Sequence, residues 1–156
     1  MKESEETQML KKFVKLFVTT AMCTLLVAGT ALAATKTNFS TGSLRLDAAG
    51  NAIVKETGSY NYKTVSTQPW SMNITSISSQ GDYGIRFFPA KVDGSVITYC
   101  AQSAIWRHTA GWVDVAYQTG DARVGQYELC ARRDNNRIYT GTFSASGWWS
   151  ADRVTP

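Results

Sequence analysis

With 156 residues, 18% of them charged, and a net charge of +4, the chain has the length of one compact domain and no more. The positive balance fits weak attraction to an anionic wall or membrane surface. It lacks the clustered basic footprint of a nucleic-acid binder, and that class is set aside.

In chain order, the first segment reads as an address. In "KKFVKLFVTTAMCTLLVAGTALAA", Lys11, Lys12 and Lys15 precede an apolar run from Leu16 to Ala28, followed by the small-residue signal Ala31-Leu32-Ala33. A positive flank, a short apolar region and an A-x-A site together specify a secretory signal peptide, residues 1–33, cleaved after Ala33. The run is about 13 residues, short of the roughly 20 needed to cross a bilayer. The acidic opening "MKESEE" is unusual for such a flank and leaves Met9 as an alternative start. Cys23 follows a bulky Met22 and lies inside the apolar run, which argues against a lipid-anchored cysteine. Removing the leader takes four lysines and three glutamates with it, leaving a mildly basic domain of residues 34–156 with no permanent membrane anchor. Its first stretch, 34–42, "ATKTNFSTG", reads as mobile.

Beyond residue 34 no apolar pattern of period 3.6 lasts three turns. Thr, Ser, Tyr, Val, Ile and Trp dominate, with Gly, Asn or Asp every 8–12 residues, and this predicts an all-β fold. The expected architecture is an antiparallel β-sandwich, or a partly open barrel, of about eight or nine short strands. The segments are 43–47, 52–56, 60–65, 70–77, 83–88, 95–101, 111–118, 126–133 and 138–149. "VDGS" and "RDNNR" read as tight hairpin turns, because Gly, Asn and Asp tolerate positive φ.

Strand alternation assigns faces. Trp70, Met72 and Ile74 share one side of their segment and Ser71, Asn73 and Thr75 the other. Val113, Val115 and Tyr117 point inward, Trp112 and Asp114 outward. In the last segment Tyr139, Phe143, Ala145 and Trp149 alternate with Thr140, Thr142, Ser144, Ser146 and Trp148. Trp149 therefore belongs to the core and Trp148 to a polar outer face.

Cys100 and Cys130 are the two cysteines that survive cleavage, and an exported chain with an even count most simply joins them in a disulfide. Closing a loop of about 31 residues would contribute roughly 3–4 kcal/mol. Both are out of phase with their apolar neighbours, which places the sulfurs on the solvent side or at strand ends.

Candidate chemistry is sparse. The single histidine, His108, would need an acid such as Asp114 or Asp121 and a serine to form a hydrolytic set, and no G-x-S-x-G motif accompanies it. The acids are scattered singly, and no metal-ligand spacing or cofactor motif is found. The expectation is a non-enzymatic protein without metal or cofactor. Binding fits better. Exposed indoles offer a large apolar face with one N–H donor, suited to sugar rings. Trp148 beside Thr140, Thr142, Ser144 and Ser146 forms a polyhydroxyl-binding strip, and Trp106 and Trp112 flank His108 as an aromatic patch. Arg132, Arg133 and Arg137 cluster in "CARRDNNR", either to contact wall phosphates or to guard an edge strand by charge. Asn38 and Asn73 match glycosylation sequons, which matter only with eukaryotic export.

The stretches "YKTVSTQPWSMNIT" (62–75) and "YELCARRDNNRIYTGTFSASGWWSAD" (127–152) resemble the small secreted β-sandwich proteins of Gram-positive bacteria. The shared cues are Pro69-Trp70 opening a strand with Asn73 three residues on, a Gly-rich turn before a strand, and a final strand ending Gly-aromatic-Trp-x-x-Asp. The cysteine pair and the Arg132-Arg133 step depart from that group. The resemblance implies a secreted β-sandwich and carries over no catalytic residues. Together the features predict an exported binding protein whose partner is a cell-wall glycan or an anionic envelope polymer. Two further readings stay open: a bacteriocin-like antimicrobial protein or its accessory, and a secreted inhibitor or hydrolase using His108.

Overall fold

The structure, a computed structural model, describes residues 34–136 and 138–154. The expected signal peptide, Arg137 and the last two residues lie outside the described residues. Among the described residues the protein is all-β. Nine strands form two antiparallel sheets that are not closed into a barrel, and the one helical element is a 3-10 turn at Ala101–Ser103.

The first sheet has four strands in the order β1-β9-β3-β7, comprising Thr37–Ser40, Ser144–Ser150, Trp70–Ser78 and Gly111–Val115. The second is ordered β2-β8-β4-β5, comprising Lys55–Lys63, Gly125–Arg133, Ile85–Asp93 and Val96–Tyr99, with β6 (Ile105–Arg107) also paired to β4. The core lies between them. Trp70, Met72, Ile74, Phe39 and Trp149 from one sheet meet Ile85, Phe87, Tyr127, Leu129 and Ala131 from the other, with Phe39 and Phe87 edge-to-face at 5.7 Å. Burying side chains of this size supplies roughly 1.5–3 kcal/mol each, which is the main drive for closing the sandwich.

Two sequence details explain local geometry. Gly94, at φ +60, opens the two-residue turn between Asp93 and Val96, as "VDGS" predicts. Pro89 sits inside β4 at the gap where its flanking partner changes from β6, on residues 85–87, to β5, on residues 90–93. The proline carbonyl still accepts from the Cys100 amide at 2.9 Å, and the Cys100 carbonyl, which finds no N–H on the proline, accepts from the Ser103 amide instead.

Several expectations are corrected. Residues 34–42, expected to be mobile, carry β1, because Phe39 is buried in the core and the strand pairs along β9. Residues 43–47 form only isolated bridges, Leu44 to Phe143 and Leu46 to Ala52. "RDNNR" opens no hairpin: β8 and β9, the strands on either side of it, belong to different sheets.

β2 faces the other sheet with polar side chains, and each is bonded. Ser59 accepts from the Trp149 indole at 2.9 Å and donates to the Asn38 carbonyl at 2.8 Å. Asn61 donates to the Thr35 carbonyl and accepts from the Ala151 amide. Lys63, fully buried, donates to the carbonyls of Gln68 and Ala151 and pairs with Asp152 at 3.2 Å, with its ammonium 4.1 Å from the Tyr117 ring centroid. Asp152 in turn accepts from the Thr64 amide and hydroxyl, both at 2.6 Å.

Burial alone would raise the Asp152 pKa, but the Thr64 bonds and the Lys63 ammonium hold it below its ordinary value. The carboxylate therefore contributes stability above the unfolded-chain value of about 3.9, and that contribution is lost as pH falls through the lower folded value. Asp152→Ala strands a buried ammonium and is expected to lower the urea unfolding free energy by about 3–5 kcal/mol. It should also flatten the acid limb of the stability profile. A double Lys63→Met/Asp152→Leu variant should lose less than Asp152→Ala alone, and an equal or greater loss would contradict this role for the pair.

Candidate functional site

The outer face of the four-stranded sheet follows from the register. Across β1, β9, β3 and β7, Asn38 pairs with Trp148, Trp148 with Asn73, and Asn73 with Trp112, so the four side chains form one row on the solvent side. The rows on either side are Ser40, Ser146 and Ser76, and Ser150, Ser71 and Asp114. The two indoles lie 4.8 Å apart at their centroids, tilted by 59°, and the Lys36 ammonium stands 4.4 Å above the Trp148 ring. Asn38 and Asn73 flank Trp148 on opposite sides.

Gly147 makes this row possible. A β-carbon at that position would collide with the Asn73 carbonyl, so glycine permits the close approach of β9 to β3 that sets Trp148 beside Trp112. The row holding Ser71 and Ser150 is roofed by the chain after β9. The Val154 amide donates to Ser71 Oγ at 3.1 Å, Ser71 donates to Asp114 at 2.6 Å, and Arg153 pairs with Asp114 at 3.1 Å. The open part of the face is thus the indole row with Lys36, Ser40, Ser76 and Ser146.

The expected site residues separate. Trp149 is wholly buried and Trp148 only half-buried, as alternation requires. Trp148, Trp112 and Ser146 come together, and Ser144 lies at the start of the same strand opposite Ser78. Thr140 and Thr142 do not join them. They precede β9 and, with Arg45 and Asp47, line a separate cavity of about 600 Å³. Trp106 is 45% exposed, but it sits on the other sheet, in a row with Arg86 and Arg132, and forms no patch with Trp112.

Arg133 is no phosphate contact. It faces the interior, its guanidinium donates to the carbonyls of Asp134, Tyr139 and Gly141, and it packs 4.5 Å from the Phe143 ring centroid. This arginine ties Tyr139 and Gly141, which lead into β9, to the core. His108 is exposed, and the acids considered with it are engaged elsewhere, Asp114 with Ser71 and Arg153, Asp121 with Ser103.

The disulfide expectation is overturned. Cys100 and Cys130 are free and buried in different clusters, Cys100 in the main core and Cys130 with Phe88 and Ala90 on the far side of the five-stranded sheet. The sheet itself separates them. Cys130 shares a face with Glu128 and Arg132, as its phase requires, but Val54, Ile97 and Ala104 pack over that face and keep it from solvent. Cys100 is out of phase with Ile97 and Tyr99 because those two face outward, which turns the cysteine in and not toward solvent. Burial pushes the Cys100 thiol up to about 11 and Cys130 higher still.

Asn38, Asn73, Lys36 and Ser40 were not expected as site residues. In the sequence the asparagines stand out only as sequons, although Lys36, Asn38 and Ser40 alternate with the buried Phe39 and Thr41 in a period of two. Comparison with known proteins brings no match: no family model, no curated protein and no solved structure.

Both thiols are expected to resist alkylation at pH 8 in the folded protein and to react fully in denaturant, with peptide mapping reading each site. A map showing Cys100 linked to Cys130 would contradict the buried, separated placement.

Proposed function

We propose that this chain is an exported, non-catalytic binding protein that lays a glycan or wall polymer across the outer face of its four-stranded sheet. One observation carries the reading: Trp112 and Trp148, distant in sequence, stand together at 4.8 Å with an asparagine on either side of Trp148. Indole faces stack on the apolar faces of sugar rings, and amides and hydroxyls answer the sugar hydroxyls at the ring edges. A sheet face is flat and open at both ends, so it suits an extended polymer better than an enclosed small molecule.

Lys36 adds a charge preference. Its ammonium lies over Trp148 from an exposed position just before β1. It can swing aside to let a sugar stack while remaining near enough to attract anionic substituents on the polymer. The mild positive charge of the whole chain acts in the same direction.

Retention on purified peptidoglycan and teichoic acids tests the proposal. The native protein is expected to be retained, Trp148→Ala and Trp112→Ala to bind at least about tenfold more weakly, and both variants to keep the native melting temperature. No retention of the native protein on any of these polymers would remove the proposal.

A further inference from the structure

The outer face of the five-stranded sheet holds a second concentration of chemistry. The register sets Tyr60, Glu128, Ala90 and Tyr99 side by side across β2, β8, β4 and β5, with Glu56, Cys130 and Phe88 forming the next row. Tyr60 and Tyr99 are 47% and 46% exposed, whereas Glu128 is 1% exposed. Glu128 Oε1 accepts from the Gly58 amide at 2.6 Å, at the irregularity in β2 where Gly58 adopts φ +70. Oε2 is buried and meets no donor among the described residues at hydrogen-bonding geometry, although the Tyr60 hydroxyl lies near enough to counter part of the burial-driven rise in the Glu128 pKa. A carboxylate oxygen withdrawn from water and left unpaired is costly, and a positive group beside it is what would relieve the cost.

The surroundings suit such a group. The Tyr99 hydroxyl donates to Glu56 Oε1 at 3.1 Å. The two side chains, from β5 and β2, meet above the intervening strands β4 and β8, and the small Ala90 in the Tyr99 row leaves room beneath them. Its ring meets Phe88 edge-on at 5.8 Å. Burial, with the Glu56 charge adding to it, raises the Glu128 pKa, and the charge of Glu128 is the chief cause raising that of Tyr60. The spot is therefore negative and aromatic. The nearest cations on this face, Arg132 and Arg86, lie one row beyond Cys130 and Phe88, and Arg86 is bonded to the Ala101 carbonyl.

We propose that this face binds an alkylammonium group, held between the rings of Tyr60 and Tyr99 against the carboxylates of Glu56 and Glu128. Tyrosine faces attract a cation through the ring quadrupole, and the two carboxylates supply the counter-charge. Entry requires Tyr99 to rotate off Glu56, which breaks one surface hydrogen bond. The site is independent of Trp148, being on the other sheet.

Titration of the full chain with choline, followed by NMR, tests it against the neutral isostere 3,3-dimethyl-1-butanol. Saturable shifts at Tyr60 and Tyr99 are expected, with a Kd of about 1–10 mM and the isostere at least about tenfold weaker. Glu56→Gln, an exposed change, should weaken choline binding about threefold or more, and Glu56→Gln/Glu128→Gln about tenfold or more, while Trp148→Ala leaves it unchanged. The absence of saturable shifts, equal binding of the isostere, or undiminished binding by the folded Glu56→Gln variant would each overturn the proposal.

Discussion

The structure turns on one constraint in β9: adjacent residues of a strand face opposite ways, and Trp148 and Trp149 are adjacent. β9 lies inside its sheet, between β1 and β3, so neither face can be given up. Trp149 fills the core and bonds to Ser59 of the opposing sheet, and Trp148 is thereby committed to the outer face. Gly147 lets the strand seat closely enough against β3 for that commitment to hold. The packing that closes the sandwich and the indole that centres the outer row are two readings of one register. A slip of one residue would exchange them and disrupt both.

Closure on the β2 side is polar. Ser59, Asn61 and Lys63 alternate along β2 and meet Trp149, Ala151 and Asp152 in turn along the end of β9 and the residues after it. Hydrophobic burial does not by itself specify how two sheets are set relative to each other, whereas a ladder of directional bonds does. The buried ion pair at its end is strongly unfavourable to break from one side, which makes it a device for fixing one arrangement more than a source of net stability. The chain after Asp152 then folds back, with Val154 bonded to Ser71 and Arg153 to Asp114, and covers one row of the outer face. How much of that face is open is therefore linked to the joint at Lys63.

Much of this was legible in the sequence. The strands carrying Trp70, Met72 and Ile74, and Trp148 and Trp149, follow from alternation, because one side of each is plainly apolar. What escaped had identifiable causes. β1 offers a single large apolar side chain, Phe39, among Thr, Asn and Ser, too weak a pattern to stand out. In β2 alternation by hydrophobicity would turn Tyr60 and Tyr62 inward, but the interior at that edge is the polar ladder, and the tyrosines face out. Cys100 was misplaced because Ile97 and Tyr99, apolar in character, cover an outer face. The rule locates which residues share a side and is silent on which side is dry when both are partly covered. Arg133 was beyond reach: its burial is set by carbonyls of the residues leading into β9, whose path no local pattern encodes.

The site shows the same division. Trp148, Trp112 and Ser146 could be assigned to an outer face one strand at a time, but their neighbourhood depends on strand order, which the sequence does not state. The order β1-β9-β3-β7 brings Asn38 and Asn73 to Trp148 and removes Trp106 to the other sheet.

Solvent exchange of the individual indole N–H protons, resolved by NMR, tests the central assignment most directly. The account predicts a strongly protected Trp149 proton, held by Ser59, and freely exchanging Trp148 and Trp112 protons. A protected Trp148 with a freely exchanging Trp149 would contradict the register on which both the fold and the proposed binding face rest.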